Sequence, residues 1–233
     1  MLVYNATKQQ FIDDVRANAI VDAIENEVAR RLNRNSPPSE VNAWECSLRF
    51  MMSALLDEAI PASAGVAIEY NIPLTNRRVD FILTGKNHQR DDAAVIVELK
   101  QWQSVEVTKK DAIVRTRLGG GVCETNHPSY QAWSYGALIE DYNETVRSES
   151  IRLVPCAYLH NYKRDGIIDN ERLESQVPGH AGGGGDAVGC GQAGEDDGLA
   201  GQFAEAFLEV GADEGAVDVL ADEEFALLGL EAV

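Results

Sequence analysis

The stretch VIVELKQW, Val95 to Trp102, decides how the rest of the chain is read. Val95, Val97 and Leu99 fall on one side of an extended segment and Ile96 on the other, the pattern of a strand covered on both faces. Yet Glu98 and Lys100, two residues apart and therefore on one face, stand at its end. An ionised carboxylate removed from water costs several kcal/mol unless it is paired or bound to a cation. The segment predicts a central strand that delivers an acid and a base to an enclosed site.

Working outward, two strand-like runs precede it, GVAIEYNI (65–72) and RRVDFILTG (77–85). The polar loop KNHQRDD (86–92) joins the second run to the third, which fits an antiparallel hairpin. In that hairpin Asp80 and Glu98 face each other across the pair. Upstream, Thr7 followed by Gln10 resembles a capping box opening a helix through KQQFIDDVRAN (8–18). IVDAIENEVARRL (20–32) carries Ile20, Ile24, Val28 and Leu32 at helical spacing. After the break NRNSPPSE, Ser39 is expected to cap a long helix, EVNAWECSLRFMMSALLDE (40–58), with Trp44, Leu48, Met51 and Leu55 in its apolar stripe. Downstream, an irregular stretch runs through Gly119–Gly121. His127-Pro128 then fixes the entry of a helix, SYQAWSYGALIEDYNE (129–144), and IRLVPCAYLH (151–160) reads as a last strand. The expected class is α/β: helix, three-strand antiparallel meander, helix, strand, with extra N-terminal helices. The divisions are an N-terminal helical extension (1–38), a core domain (39–172) and a tail (173–233).

The tail differs in composition from the body. All 20 Lys and Arg lie at or before Arg172, whereas 14 of the 38 acids and 13 of the 20 glycines lie after it. From Gly179 onward there is no Lys, Arg, Ile, Thr, Asn, Ser, Tyr, Trp or Met. Nearly every residue there has codons beginning with G or C, as when a GC-rich gene is read out of frame. The rival reading is a natural acidic, Gly/Ala-rich, disordered linker with a short helix near Ala216–Leu228. The net charge of −18 therefore says little about the body, which carries a net −4. Between Arg77 and Arg117, nine basic residues outnumber six acids.

No apolar run approaches the length of a membrane span, and MLVYNATKQQF lacks the basic and apolar regions of a signal peptide, so a cytoplasmic location is expected. Cys46, Cys123, Cys156 and Cys190 are scattered with no C-x-x-C pair, which argues against a zinc site.

Two carboxylates at one spot repel, and they make physical sense if a divalent cation lies between them; hard oxygen ligands suit Mg²⁺ or Mn²⁺. An ammonium beside such a cation can stabilise charge developing on a phosphate. Asp80 followed by Glu98-Leu99-Lys100 resembles the D…E-x-K signature of the PD-(D/E)XK nuclease superfamily, over about residues 39–160. Val79 stands where the superfamily usually has proline. Gln131 to Tyr135, QAWSY, resembles the Q-x-x-x-Y motif of the RecB-like branch.

The resemblance implies a restriction-endonuclease-like core and Mg²⁺-dependent hydrolysis of DNA phosphodiester bonds. Asp80, Glu98 and the backbone carbonyl of Leu99 would hold the metal, and Lys100 would orient the nucleophile. An extra acid is implied from the first core helix, Glu45 or alternatively Glu40. Gln131 and Tyr135 would position substrate or brace the site; their plainer reading is an i,i+4 pair on one helix face. Arg77, Arg78, Lys109, Lys110, Arg115 and Arg117 form an expected phosphate-contacting rim, with a solvated face as the alternative for each. Trp44, Trp102 and Trp133 read as core residues, Trp102 alternatively as a stacking platform. The text GVAIEYNIPLTNRRVDFIL, HPSYQAWSY and CAYLHNY is similar to a bacterial family in which such a domain precedes a P-loop ATPase/helicase-like region. The chain holds no G-x-x-x-x-G-K-[ST], so the resemblance implies a fragment of a larger ATPase/helicase-linked protein, with the ATPase/helicase region missing from this chain. A catalytically silent module that binds nucleic acid or such an ATPase is the alternative of a different class.

Overall fold

The computed structural model describes residues 2–86, 91–163 and 165–168, with the backbone of Gly191 and Gln192. The expected tail, 173–233, otherwise lies outside the described residues. The fold is mixed α/β. Strands β1 (Tyr4–Thr7), β2 (Gly65–Asn71), β3 (Arg78–Lys86), β4 (Asp92–Lys100) and β8 (Arg152–Leu159) form one mixed sheet, extended by the two-residue β9 (Gly191–Gln192). Its order is β1-β2-β3-β4-β8-β9. The first four strands are antiparallel neighbours, and β8 runs parallel to β4. A parallel pair needs a long crossover, and residues 101–151 supply it. They contain a second, antiparallel sheet of β5 (Val105–Val107), β6 (Ile113–Leu118) and β7 (Gly121–Asn126), then α4 (Pro128–Tyr142) and α5 (Glu144–Ser148).

Helices α1 (Lys8–Arg16), α2 (Ile20–Leu32) and α3 (Pro38–Ala54) cover one face of the main sheet. Phe11, Ile24, Leu48 and Met51 pack there with Val66, Phe81, Val95 and Val97. The other face packs Ala67, Val79, Ile82, Ala94 and Ile96 against Tyr135 and Ile139 of α4. β4 is thus covered on both sides, as its sequence predicts. Its hairpin with β3 pairs Phe81 with Val97 through Lys86 with Asp92.

Several local expectations are corrected. β1 precedes α1 and joins the edge of the main sheet, and Phe11, Ile24 and Val28 pack in one core with Leu48, Phe81 and Val97. Thr7 does cap α1, accepting from the Gln10 amide at 3.2 Å. Ser39 does not cap α3: the helix begins at Pro38 after an extended Pro37, with no side-chain cap. Proline at a first helical turn forfeits no hydrogen bond, because those amides have no intrahelical acceptor. Leu32 is exposed, at the end of the stripe expected to bury it. The stretch expected to be irregular is the β5–β7 sheet, whose β6–β7 connection is Gly119-Gly120 with φ of 58° and 88°. A two-residue hairpin turn with both φ positive is the type I′ geometry, which glycine adopts freely. Val105 and Val114 of this sheet pack with Trp102, Leu159 and Tyr162 in a third cluster. Among the described residues, no helix is long and apolar enough to cross a membrane.

Candidate active site

The site sits where β3 and β4 pass beyond their last paired positions. Continuing the Phe81–Val97 register by one step sets Asp80 opposite Glu98. The Leu99 amide donates to Asp80 Oδ2 at 2.9 Å, which fixes that carboxylate on the end of β4. Lys100 is ion-paired with Glu98 Oε1. Gln131, on the first turn of α4, donates to Glu98 Oε1 at 2.6 Å and lies 2.8 Å from the Tyr135 hydroxyl. Spacing i,i+4 on α4 is what brings Gln131 and Tyr135 to one point. Glu98 is buried, and its second oxygen, Oε2, has no hydrogen-bond partner. Asp80, Glu98, Gln131 and Tyr135, with Asn71, Asn76, Arg77 and Arg78, line an open polar cleft of about 380 Å³.

The electrostatics follow from burial. Desolvation and then the Asp80 charge push the Glu98 carboxyl up to about 8. Asp80 is also raised, by burial, against the pull of Lys100, the Leu99 amide and Arg78. Burial works to lower Lys100, but Glu98 and Asp80 outweigh it and hold the ammonium above its usual value. Burial and the proximity of the two carboxyls make it costly for both to be ionised at once.

A second charged cluster lies beside this one and was missed in the sequence. Glu69 of β2 is buried at a left-handed φ of 60°. The two-residue alternation of β2 slips there: Val66 and Ile68 enter the α1–α3 core, whereas Ala67, Tyr70 and Ile72 enter the α4 core. Glu69 is thereby turned toward α3, where Oε1 accepts from Trp44 Nε1 at 2.6 Å and Oε2 is ion-paired with Arg78. Arg78 also donates to Glu40 at 2.6 Å, and Glu40 accepts from Arg34 at 2.9 Å. Desolvation raises Glu69 to about 7, against the pull of Arg78. The signal available in the sequence was an acid inside the apolar run GVAIEYNI, the same anomaly as in VIVELKQW.

The other expected site residues are placed as follows. Glu45 is exposed and lines a separate small pocket with Asp22 and Glu25 between the N-terminal helices. The structure does not bring it to Asp80. Glu40 is committed to Arg34 and Arg78. Lys110 and Arg115 pair with Glu124 in the β5–β7 sheet, and Lys109 and Arg117 are exposed there. Arg77 and Arg78 alone of the expected rim reach the cleft. Trp102 is buried, with Lys100 Nζ 5.7 Å from its ring centre. Trp133 is half-buried beside Tyr130. His127 accepts from the Ser129 amide at the start of α4, and its Nε2 bonds the Ile168 carbonyl at 2.9 Å. His160 is buried, stacked on Phe50 and 3.0 Å from the Ser47 hydroxyl.

Fold and cleft together define a mixed α/β protein with an acid–acid–lysine cluster at a strand end. No family model, curated protein or solved structure matches the chain.

Proposed function

We propose that this chain is a divalent-cation-dependent nuclease of the PD-(D/E)XK type, with a restriction-endonuclease-like core, that hydrolyses phosphodiester bonds in DNA. The observation that carries the reading is the pair Asp80 and Glu98 lining a polar cleft, with Lys100 ion-paired to Glu98 and one buried Glu98 oxygen without an aligned hydrogen bond. Among the described residues no group of three or more His, Cys, Asp or Glu side chains is arranged to hold a metal. The donor set is smaller: two carboxylates and the Leu99 carbonyl, hard oxygens that would suit Mg²⁺ (or Mn²⁺) completed by water and substrate phosphate. Two adjacent carboxyls, both raised by burial and one with a buried oxygen that has no aligned hydrogen bond, are a donor set that fits such a cation.

When bound, such a cation supplies charge stabilisation at the phosphate and a more acidic water. The protein's own groups do the rest. Lys100, kept protonated by Glu98 and Asp80, places a positive charge where negative charge develops on the phosphate oxygens. Gln131 fixes the Glu98 rotamer and is braced by Tyr135, while Arg77 at the rim meets the neighbouring phosphate. Arg78 is held by Glu69 and Glu40 and sets the backbone two residues before Asp80.

The test is cleavage of single- and double-stranded DNA by the full chain in Mg²⁺ and in Mn²⁺, with Asp80→Ala and Lys100→Ala controls. Cleavage lost in both variants supports the assignment; cleavage surviving in both rejects it. DNA binding without cleavage by the wild type would favour a silent module that binds nucleic acid or a partner ATPase.

A further inference from the structure

The turn joining β2 to β3, Ile72 to Arg77, presents a leucine to solvent at its tip. Leu74 is 91% exposed, far more than any other large apolar residue described. Its backbone is left-handed, with φ of 60°, a conformation that is unfavourable for leucine and free for glycine. A single exposed leucine is ordinary on a protein surface. This one is unfavourable twice, in solvent and in backbone, at a position where glycine or asparagine would cost nothing.

The turn is also rigidly seated. Ile72 is buried among Tyr70 and Tyr135, and its amide donates to the Arg77 carbonyl at 3.0 Å. The Thr75 hydroxyl donates to the Ile72 carbonyl at 3.0 Å and accepts from the Arg77 amide at 3.0 Å. The tip is therefore held out on a fixed base. Apart from the adjoining exposed Pro73, the groups around it are polar. Asn71, Asn76 and Arg77 continue directly into the cleft that holds Asp80 and Glu98. A protein-docking hot spot would need further apolar surface around the anchor, whereas an apolar tip flanked by Arg and Asn matches the side chains that wedge into a base stack. Asp80 follows Arg77 by three strand residues, about 10 Å. The tip thus lies roughly three or more nucleotide steps from the carboxylates.

We propose, resting on the nuclease reading above, that Leu74 is a wedge that inserts between base pairs. The substrate is then duplex DNA unstacked a few steps from the scissile phosphate. The cleft binds the phosphates, and the turn opens the stack beside them.

The test uses the full chain and DNA duplexes of about 30 base pairs carrying 2-aminopurine at successive positions, in Ca²⁺ to separate binding from cleavage. Wild type is expected to raise 2-aminopurine fluorescence at one step and not along the whole duplex. Leu74→Gly should abolish that rise and lower the ratio of duplex to single-strand affinity about tenfold. Its melting temperature should equal or exceed that of wild type, because glycine relieves the left-handed backbone, so misfolding cannot account for the loss. A rise that is unchanged in Leu74→Gly overturns the wedge. Cleavage of duplex by wild type in Mg²⁺ with no fluorescence rise also overturns it, and leaves the nuclease reading standing. Neither binding nor cleavage of any DNA would overturn both.

Discussion

Two clusters of buried charge lie on adjacent strands of one sheet, and they are finished differently. On the α3 side, Glu69 is closed in: Trp44 donates to one oxygen, Arg78 is ion-paired with the other, and Glu40 and Arg34 extend the network. On the α4 side, Asp80 and Glu98 share a single lysine and line a polar cleft, and the buried Glu98 Oε2 has no aligned hydrogen bond. Glu69 Oε2 and Glu98 Oε2 both lack an aligned hydrogen bond, but only the first is in contact with a cation of its own. A buried carboxylate with an ion pair or hydrogen bond at each oxygen is a common structural device, whereas perturbed carboxyls lining a cleft are candidates for a functional site. On the proposed function, the first cluster holds the sheet and the second takes the cation.

That comparison can be broken most sharply by activity. Asp80→Ala and Lys100→Ala should each lower Mg²⁺-dependent DNA cleavage by about 10³-fold or more while thermal unfolding stays cooperative. In the closed cluster the expected effect is on stability. Arg78→Met leaves Glu69 buried without its cation, and urea denaturation should show a loss of about 3 kcal/mol. If Asp80→Ala proves the more destabilising of the two, the roles assigned to the clusters are reversed.

A smaller effect, of opposite sign, sharpens the contrast. Glu98→Gln removes a buried acid that repels Asp80 and should stabilise the cation-free protein by about 1 kcal/mol at pH 8, while cleavage is lost. The pH dependence follows from the same group. Glu98 is raised from 4.5 to about 8, so its proton is bound more tightly in the folded state. Its contribution is full below pH 4.5 and is lost as pH rises to 8. The buried His127 and His160 are lowered from 6.5, chiefly by desolvation. Their opposite contribution, stability gained as pH rises, is complete by pH 6.5. Between pH 7 and 8 the cation-free melting temperature should therefore fall, and Glu98→Gln should flatten that slope. The smallest effect belongs to the exposed Lys110–Glu124 pair: Lys110→Ala should leave the melting temperature essentially unchanged.

Much of this arrangement was legible because VIVELKQW combines two apolar faces with a charged pair, a pattern only a doubly covered strand reconciles. The opposition of Asp80 and Glu98 followed from hairpin pairing, and Gln131 with Tyr135 from helical spacing. Glu45 illustrates where spacing misleads. It follows Trp44, and one residue along a helix is a rotation of about 100°, so burying Trp44 turns Glu45 to solvent. Glu69 was hidden because a left-handed residue slips the strand's alternation, a backbone event that side-chain periodicity does not record. The β5–β7 sheet escaped notice because β5 has three residues and the Gly-Gly turn was read as a break. β1 escaped because its four residues end in the helix cap.

The most direct test of the open cluster is Mn²⁺ binding to the full chain at pH 7 without nucleic acid, followed by calorimetry in buffers of different ionisation enthalpy. One ion should bind per chain with release of a proton from the carboxyl pair. Binding should vanish in Asp80→Asn and persist in Glu69→Gln. Binding that survives Asp80→Asn, or that is lost in Glu69→Gln in a protein that remains folded, would contradict the account.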